Sequence, residues 1–334
     1  SDKDFERVDN SKSSKEVDNI CSGDYKNDRV FNIAVAGDWG CEEDTKKTVE
    51  NIQRNDPELV IAAGDLSYED SADCWFEIIK PIESKMKIAM GDHEYSATSG
   101  GEQGIFNQYL KPLNLAQTYY SFDENNVHVT VIDPYINYEP GSSQYKFIER
   151  DLKNAATNPN VDWIFVVASI PIYTAPSYHE ANSHIRDIYH PMFDAYGVDL
   201  VFGSDNHNYQ RTFPLKYNGE YANSDNPIIT DANQYNDYDN ANGGVVYLII
   251  GTAGRSLYDV EGDAPFVTKK YDKQYGFLNI EVYSNALVGT FYTNEDSANE
   301  NDNPEYYFVS SSPDNNVIDR FTISNTKYQE KQFS

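Results

Sequence analysis

The chain has 334 residues, of which 39% are hydrophobic, and a formal net charge of −28. This length suits one large α/β domain or two small ones, and no apolar run approaches the roughly 20 residues of a membrane helix. A surface this acidic repels phosphate backbones and anionic lipid surfaces, so no nucleic-acid partner is expected.

Residues 1–29 are polar and unpatterned and read as an N-terminal extension. A rhythm begins at Phe31. Apolar runs at Phe31–Gly37, Leu59–Gly64 and Lys87–Gly91 have strand length and close on Gly-Asp. Between the first two, Asp44 to Arg54 carries an acidic helix start and apolar Val49 and Ile52, which predicts β–α–β and a partly parallel sheet. Further strands are predicted at Val127–Ile132, Trp163–Ala168 and Val198–Gly203, with helices at about 143–155 and 187–196 before the last two. An unpatterned segment rich in Asn, Asp, Tyr and Gly runs from Leu215 to Asn242. Val245–Thr252, Phe277–Tyr283 and Leu287–Thr293 have no helices between them, which predicts antiparallel strands closing a second sheet. Asn294 to Asn303 reads as an acidic loop, and 326–334 as a C-terminal tail.

The 27 tyrosines read first as compositional bias and second as an interaction surface. Cys21, Cys41 and Cys74 are too few for a disulfide scaffold and lack zinc-site spacing. Cys41 and Cys74 each follow a motif strand, so a bridge between them and two free thiols are both open.

Polar residues recur at the strand ends: Gly37-Asp38-Trp39-Gly40, Gly64-Asp65-Leu66-Ser67-Tyr68, Gly91-Asp92-His93-Glu94 and Ser204-Asp205-Asn206-His207. Any one Gly-Asp is an ordinary turn. Together, at carboxyl ends of strands, they form a candidate ligand crevice. Asp38, Asp65, Tyr68 and His207 offer oxygens and one imidazole, a set suited to a transition metal, and a phenolate favours iron(III). Asp65 has two oxygens with which to bridge two metals.

In these motifs the chain resembles the purple acid phosphatases, within the calcineurin-like metallophosphoesterases. The resemblance runs from about Phe31 to Ile323 and includes Thr118-Tyr119-Tyr120-Ser121-Phe122-Asp123, His207-Asn208-Tyr209-Gln210-Arg211 and Tyr292-Thr293-Asn294. The family pattern is Gly-Asp-x-Gly, Gly-Asp-x-x-Tyr, Gly-Asn-His-Glu, Val-x-x-His and Gly-His-x-His. It implies a four-layer α-β-β-α sandwich of two mixed sheets over residues 30–325, with two metals sharing an aspartate. The first site carries over intact as Asp38, Asp65, Tyr68 and His207. At the second, Asp92 replaces the asparagine, Ser169 one histidine and Asp205 the other, while His93 survives as the residue near phosphate if the protein is active. These exchanges add two carboxylates and remove soft nitrogen donors, so a second metal would be weak or absent and oxygen-ligated. Left empty, the crowded carboxylates should take up a proton.

His128 and His190 read as structural, whereas His179 and His184 follow Pro171 and could line the site. Three functions compete: an active phosphomonoesterase, a non-catalytic anchoring module, and a one-iron storage or redox protein. Within the family the combination resembles the apicomplexan glideosome-associated branch, a phosphatase-like membrane anchor. That resemblance implies a signal peptide before Ser1 and a membrane helix after Ser334. It also implies a lumenal placement at the inner membrane complex. Its implied partners are the myosin motor's heavy and light chains and an acylated glideosome-associated protein. The chain contains no Asn-x-Ser/Thr sequon.

Overall fold

The computed structural model describes residues 29–95, 104–221, 225–233, 236–294 and 317–325. The extension up to residue 28 (with Cys21), the acidic loop beyond Asn294 and the tail 326–334 lie outside the described residues. In chain order the elements are β1 (Arg29–Ala36), α1 (Glu43–Asn55), β2 (Leu59–Ala62), α2 (Asp73–Ile79), β3 (Met86–Ile88), α3 (Asp92–Tyr95), α4 (Asn107–Leu110), β4 (Tyr120–Glu124), β5 (Val127–Ile132), α5 (Ser143–Thr157), β6 (Trp163–Ala168), α6 (Ser183–Tyr196), β7 (Leu200–Gly203), β8 (Tyr209–Thr212), β9 (Leu215–Lys216), β10 (Ile228–Ile229), β11 (Asp237–Asp239), β12 (Val246–Ile250), β13 (Val267–Tyr271), β14 (Gly276–Tyr283), β15 (Ala286–Thr293) and β16 (Val317–Ser324).

Two seven-stranded mixed sheets result, ordered β11-β16-β15-β14-β1-β2-β3 and β13-β8-β12-β7-β6-β5-β4. Strands β1, β2 and β3 run parallel, as do β5, β6, β7 and β12. The late strands depart from expectation. β14 and β15 do form an antiparallel pair, but β14 docks on β1 and extends the first sheet, while β12 lies beside β7 in the second. Helix-free spacing announces a hairpin; which exposed edge it covers is a long-range choice that local pattern does not encode. The segment after Leu215, expected to be patternless, contains β9 and β10, which pair with each other, and β11, which borders β16.

Period-2 alternation divides the second sheet between two cores. Val127, Val129 and Val131 of β5, Trp163, Phe165 and Val167 of β6, and Leu200 and Phe202 of β7 face the first sheet. Ile132, Ile164, Val166 and Val201 turn outward against Ile148 and Leu152 of α5 and Ile185, Tyr189 and Phe193 of α6. Helices α1 and α2 send Val49, Ile52, Trp75 and Ile79 into the core of the first sheet. Helix α6 begins four residues earlier than predicted because the Asn182 side chain accepts the Ile185 N–H at 3.0 Å, an N-cap that sets the start. Cys41 and Cys74 are joined as a disulfide, with Cα atoms 5.9 Å apart, which resolves the open alternative. No helix among the described residues is long and apolar enough to cross a membrane.

Candidate metal centre

The parallel strands β1, β2 and β3 deliver their carboxyl ends to one edge, and β7 brings the second sheet to the same place. Strand pairing continues past the strands into the motif loops. Asp38 N–H donates to the Gly64 carbonyl at 3.1 Å and Trp39 N–H to that of Asp65 at 2.9 Å. The two sheets are tied at the same edge by Gly37 N–H to the Ile250 carbonyl at 2.7 Å. Asp38, Asp65, Tyr68 and Asp205 all adopt left-handed backbone, with φ of 57°, 52°, 61° and 74°. Such conformations cost about 1–3 kcal/mol each in non-glycine residues and cluster where function fixes a side chain.

The first donor set converges. The Tyr68 hydroxyl donates to Asp38 Oδ1 at 2.8 Å and lies 3.0 Å from His207 Nε2 and 3.5 Å from Asp65 Oδ2. His207 Nε2 is 3.3 Å from Asp38 Oδ1. On its far side His207 Nδ1 meets the Ser256 carbonyl at 2.7 Å, where it donates and so turns Nε2 toward the cluster. Tyr258 stacks on the His207 ring at 3.9 Å and 9°, and the Arg255 guanidinium lies 4.7 Å over the Tyr68 ring.

A second set gathers beside it. Asp65, Asp92 and His93 each bring a donor atom within 4.8 Å of the others. Asp92 Oδ1 and His93 Nδ1 are buried without a hydrogen-bond partner among the described residues. Asp205 donates its backbone N–H to Asp38 Oδ2 at 2.9 Å, and its carboxylate lies 3.5 Å from His179 Nε2. The Ser169 hydroxyl is taken up by the Met90 carbonyl. Glu94, fully buried, accepts N–H groups from Leu66 at 2.9 Å, Asp65 at 3.1 Å and Gly91 at 2.7 Å, which fastens the second and third motif loops together.

Electrostatics point to a cation. Burial, then the charges of Asp38, Glu94, Asp92 and Asp205, push the Asp65 carboxyl well above the ordinary range. Burial and the neighbouring Asp38 and Asp92 push Asp205 up to about 8. Burial raises Glu94 to about 7 despite its three backbone donors. Asp38 goes the other way: burial opposes its charge, but the His207 charge and hydrogen bond, with the Tyr68 hydroxyl, outweigh that and hold it low. Carboxylates this crowded, with orphaned buried donor atoms among them, fit a bound metal that would relieve their repulsion. Asp38, Asp65, Tyr68 and His207 would hold it, with Asp65 and Asp92 offering oxygens to a second.

The motif residues named from sequence therefore assemble, except that the Ser169 hydroxyl faces a carbonyl rather than the cluster. His179 lines the site, whereas His184 is exposed and pairs with Glu139 at 2.6 Å. His190 is buried against Tyr173, and His128 bridges Asp123 and Asp151 away from the site. Glu94's fastening role, Arg255 and Tyr258 were missed. Arg255 and Tyr258 reach the site from the loop after β12, whose sequence carries no metal-site signature.

The calcineurin-like phosphoesterase family profile matches residues 31–209. A probable purple acid phosphatase of Arabidopsis thaliana is 28% identical over 198 residues, 54% of this chain and 46% of that protein. The chain thus spans about half the length of the curated relatives it matches. Among solved structures, a purple acid phosphatase from yellow lupin (Lupinus luteus) seeds superposes with a TM-score of 0.66 at 20% identity, covering 88% of this chain and 53% of that one. GAP50, the anchor in the inner membrane complex of Plasmodium, superposes with a TM-score of 0.58 at 13% identity, covering 80% and 85%. At these identities the two structures speak for the fold alone.

Proposed function

Because the chain belongs to the calcineurin-like phosphoesterase family, we propose that it is a phosphatase-like domain that keeps one metal position and has lost phosphomonoester turnover, serving as the lumenal part of a membrane anchor. One observation carries this reading. Where the family pattern supplies two histidines and an asparagine, this chain has Ser169, whose hydroxyl is bonded to the Met90 carbonyl, and the carboxylates of Asp205 and Asp92. A bound metal pair would supply charge stabilisation to an attacked phosphoester. Here the added carboxylates oppose the approach of a phosphate, and the two histidines that the family pattern gives the second metal are replaced. Losing stabilisation on the order of 4 kcal/mol already means about a thousandfold in rate.

The anchoring role is proposed by likeness. The fold shared with an inner-membrane-complex anchor supports a place at that membrane, reached through a helix outside these residues. The proposed partners are the myosin motor's heavy and light chains and an acylated glideosome-associated protein. Iron is proposed at the first position because Tyr68 brings a phenol into the donor set.

A divergent active purple acid phosphatase is the second reading, and His93 favours it. Burial keeps this imidazole below its ordinary range, which favours its neutral form, and its Nε2 lies 3.8 Å from Asp92 Oδ1. An imidazole held neutral is a proton acceptor, so its role there would be that of a general base.

Turnover of a phenyl phosphate by the metal-supplemented protein separates the two. We expect almost none from wild type and a measurable rise in the triple variant Asp92→Asn, Ser169→His, Asp205→His. A wild-type rate like that of an ordinary acid phosphatase, abolished by Asp65→Asn, would establish the second reading.

A further inference from the structure

The Cys41–Cys74 disulfide borders the metal centre. Cys41 follows the candidate ligand Asp38 by three residues, and Cys74 follows Tyr68 by six. The bridge, with Cα atoms 5.9 Å apart, therefore closes a ring of chain that contains Asp65 and Tyr68 and fastens the Asp38 loop to the end of it.

Backbone pairing between the first two motif loops runs out just before the bridge, with Gly40 N–H on the Leu66 carbonyl at 2.8 Å. Cys41 is the next residue on one side. On the other, residues 67–73 carry Tyr68 toward α2. There Ser67 Oγ accepts the Glu69 N–H at 3.2 Å in a local turn, and Ala72 N–H donates to Gln108 Oε1 at 2.9 Å. Neither of these contacts joins the segment to the Asp38 loop; the bridge does. Cys41 also places its neighbour Glu42, whose carboxylate pairs with the Arg255 guanidinium lying 4.7 Å over the Tyr68 ring. Tyr68 is thus held through its backbone by way of α2 and over its ring by way of Glu42. Asp38 and Tyr68 both keep left-handed backbone, with φ of 57° and 61°, a conformation that lasts only where the surroundings over-determine it.

Behind the loops, Trp39 and Trp75 are fully buried and meet edge to face at 6.4 Å, and the Thr45 hydroxyl donates to the Trp39 carbonyl at 2.5 Å. Those contacts need no bridge, so opening it releases the loops without unfolding the sheet. Cys41 and Cys74 are partly exposed, which leaves the bridge open to attack.

We propose that this bridge is a redox-sensitive clamp on the first metal position: closed, it holds Asp38 and Tyr68 together, and reduced, it lets their loops part so that metal affinity falls. The reductant is a dithiol. Its thiolate attacks one bridge sulfur, the Cys41–Cys74 bond breaks, and its second thiol displaces the first from the mixed disulfide. Two electrons and two protons pass to this chain as two thiols, and the dithiol leaves as a disulfide. The clamp rests on the metal position of the proposed function and adds control of its occupancy by the redox state of the compartment.

Zinc, which has no redox chemistry of its own, is the probe, with affinity read on the intact chain by competition against a chromophoric chelator. Only zinc whose binding is lost in His207→Ala is counted. Oxidised wild type should hold it at least about tenfold more tightly than Cys41→Ser with Cys74→Ser. Wild type reduced with a dithiol, alkylated with iodoacetamide and freed of both reagents should match the serine pair. Reoxidation of unalkylated protein should restore the affinity. His128→Leu, a destabilising change away from the site, should leave it unaltered. Equal affinity in oxidised wild type and the serine pair would overturn the proposal alone. So would equal weakening in His128→Leu, or loss of far-ultraviolet ellipticity in the serine pair at the assay temperature, since either makes the bridge a staple of the fold only. Zinc binding that His207→Ala leaves intact would instead fail the metal position, and the clamp with it.

Discussion

Gly91 shows how closely the site is drawn. A Cβ placed there would lie 1.9 Å from Asp65 Oδ1 and 2.5 Å from the Asp65 backbone nitrogen, so the glycine is what allows the third motif loop to touch the bridging carboxylate. Gly91→Ala should therefore displace Asp65, destabilise the fold by about 1–3 kcal/mol, and lower metal retention after dialysis; unchanged melting and retention would remove the contact from the account. Asp38, Asp65, Tyr68 and His207 were legible in the sequence because strand-tip motifs fix both place and direction. His179 was legible only as a possibility, since its place depends on Asn206 Oδ1 accepting the His179 backbone N–H at 2.8 Å from a loop distant in sequence. Ser169 illustrates the opposite limit: its position was readable, but the turn of its hydroxyl to Met90 was not.

At the scale of elements, β5 and α5 are joined by a polar link. His128 Nε2 meets Asp151 Oδ2 at 3.0 Å and Nδ1 meets Asp123 Oδ1 at 2.6 Å. Burial opposes the imidazolium, but the hydrogen bonds and charges of Asp151 and Asp123 outweigh it and raise His128 above its ordinary value. Asp151 is likewise lowered: burial opposes its charge, and His128, Ser121 and Thr130 overcome that. The His128 contribution is full below the unfolded value near about 6.5 and fades as pH rises through the higher folded one. That of Asp151 is present above the unfolded value near about 3.9 and fades as pH falls through the lower folded one. The melting-temperature loss on His128→Leu should thus be greatest near pH 5–6 and shrink toward pH 9; a loss independent of pH would leave only packing. The Cys41–Cys74 bridge, spanning 33 positions, ties the loop after β1 to α2. Cys41→Ser with Cys74→Ser should cost about 2–4 kcal/mol in denaturant unfolding, and no change would deny the bridge a stabilising role. Parallel strands and their helices were readable because each β–α–β unit is local. The docking of β14 on β1 was not, because the pairing joins residues such as Ile33 and Ile280.

For the whole molecule, two mixed sheets carry their cores and their motif loops to one shared edge, and the family resemblance made that architecture legible before the strand order was. The −28 charge concentrates its most consequential members there, where buried carboxylates raise one another until a cation intervenes. The central claim is that one metal position is complete and the other is not. Elemental analysis of the purified domain, loaded with iron and zinc together and then dialysed, tests it most directly. About one equivalent of tightly held transition metal per chain, lost in His207→Ala, is the predicted result, since Asp38, Asp65 and His207 gather around the Tyr68 hydroxyl at the first position while the second has lost the two histidines of the family pattern. Two equivalents retained with equal tenacity would contradict the claim and return the second position to a working metal site.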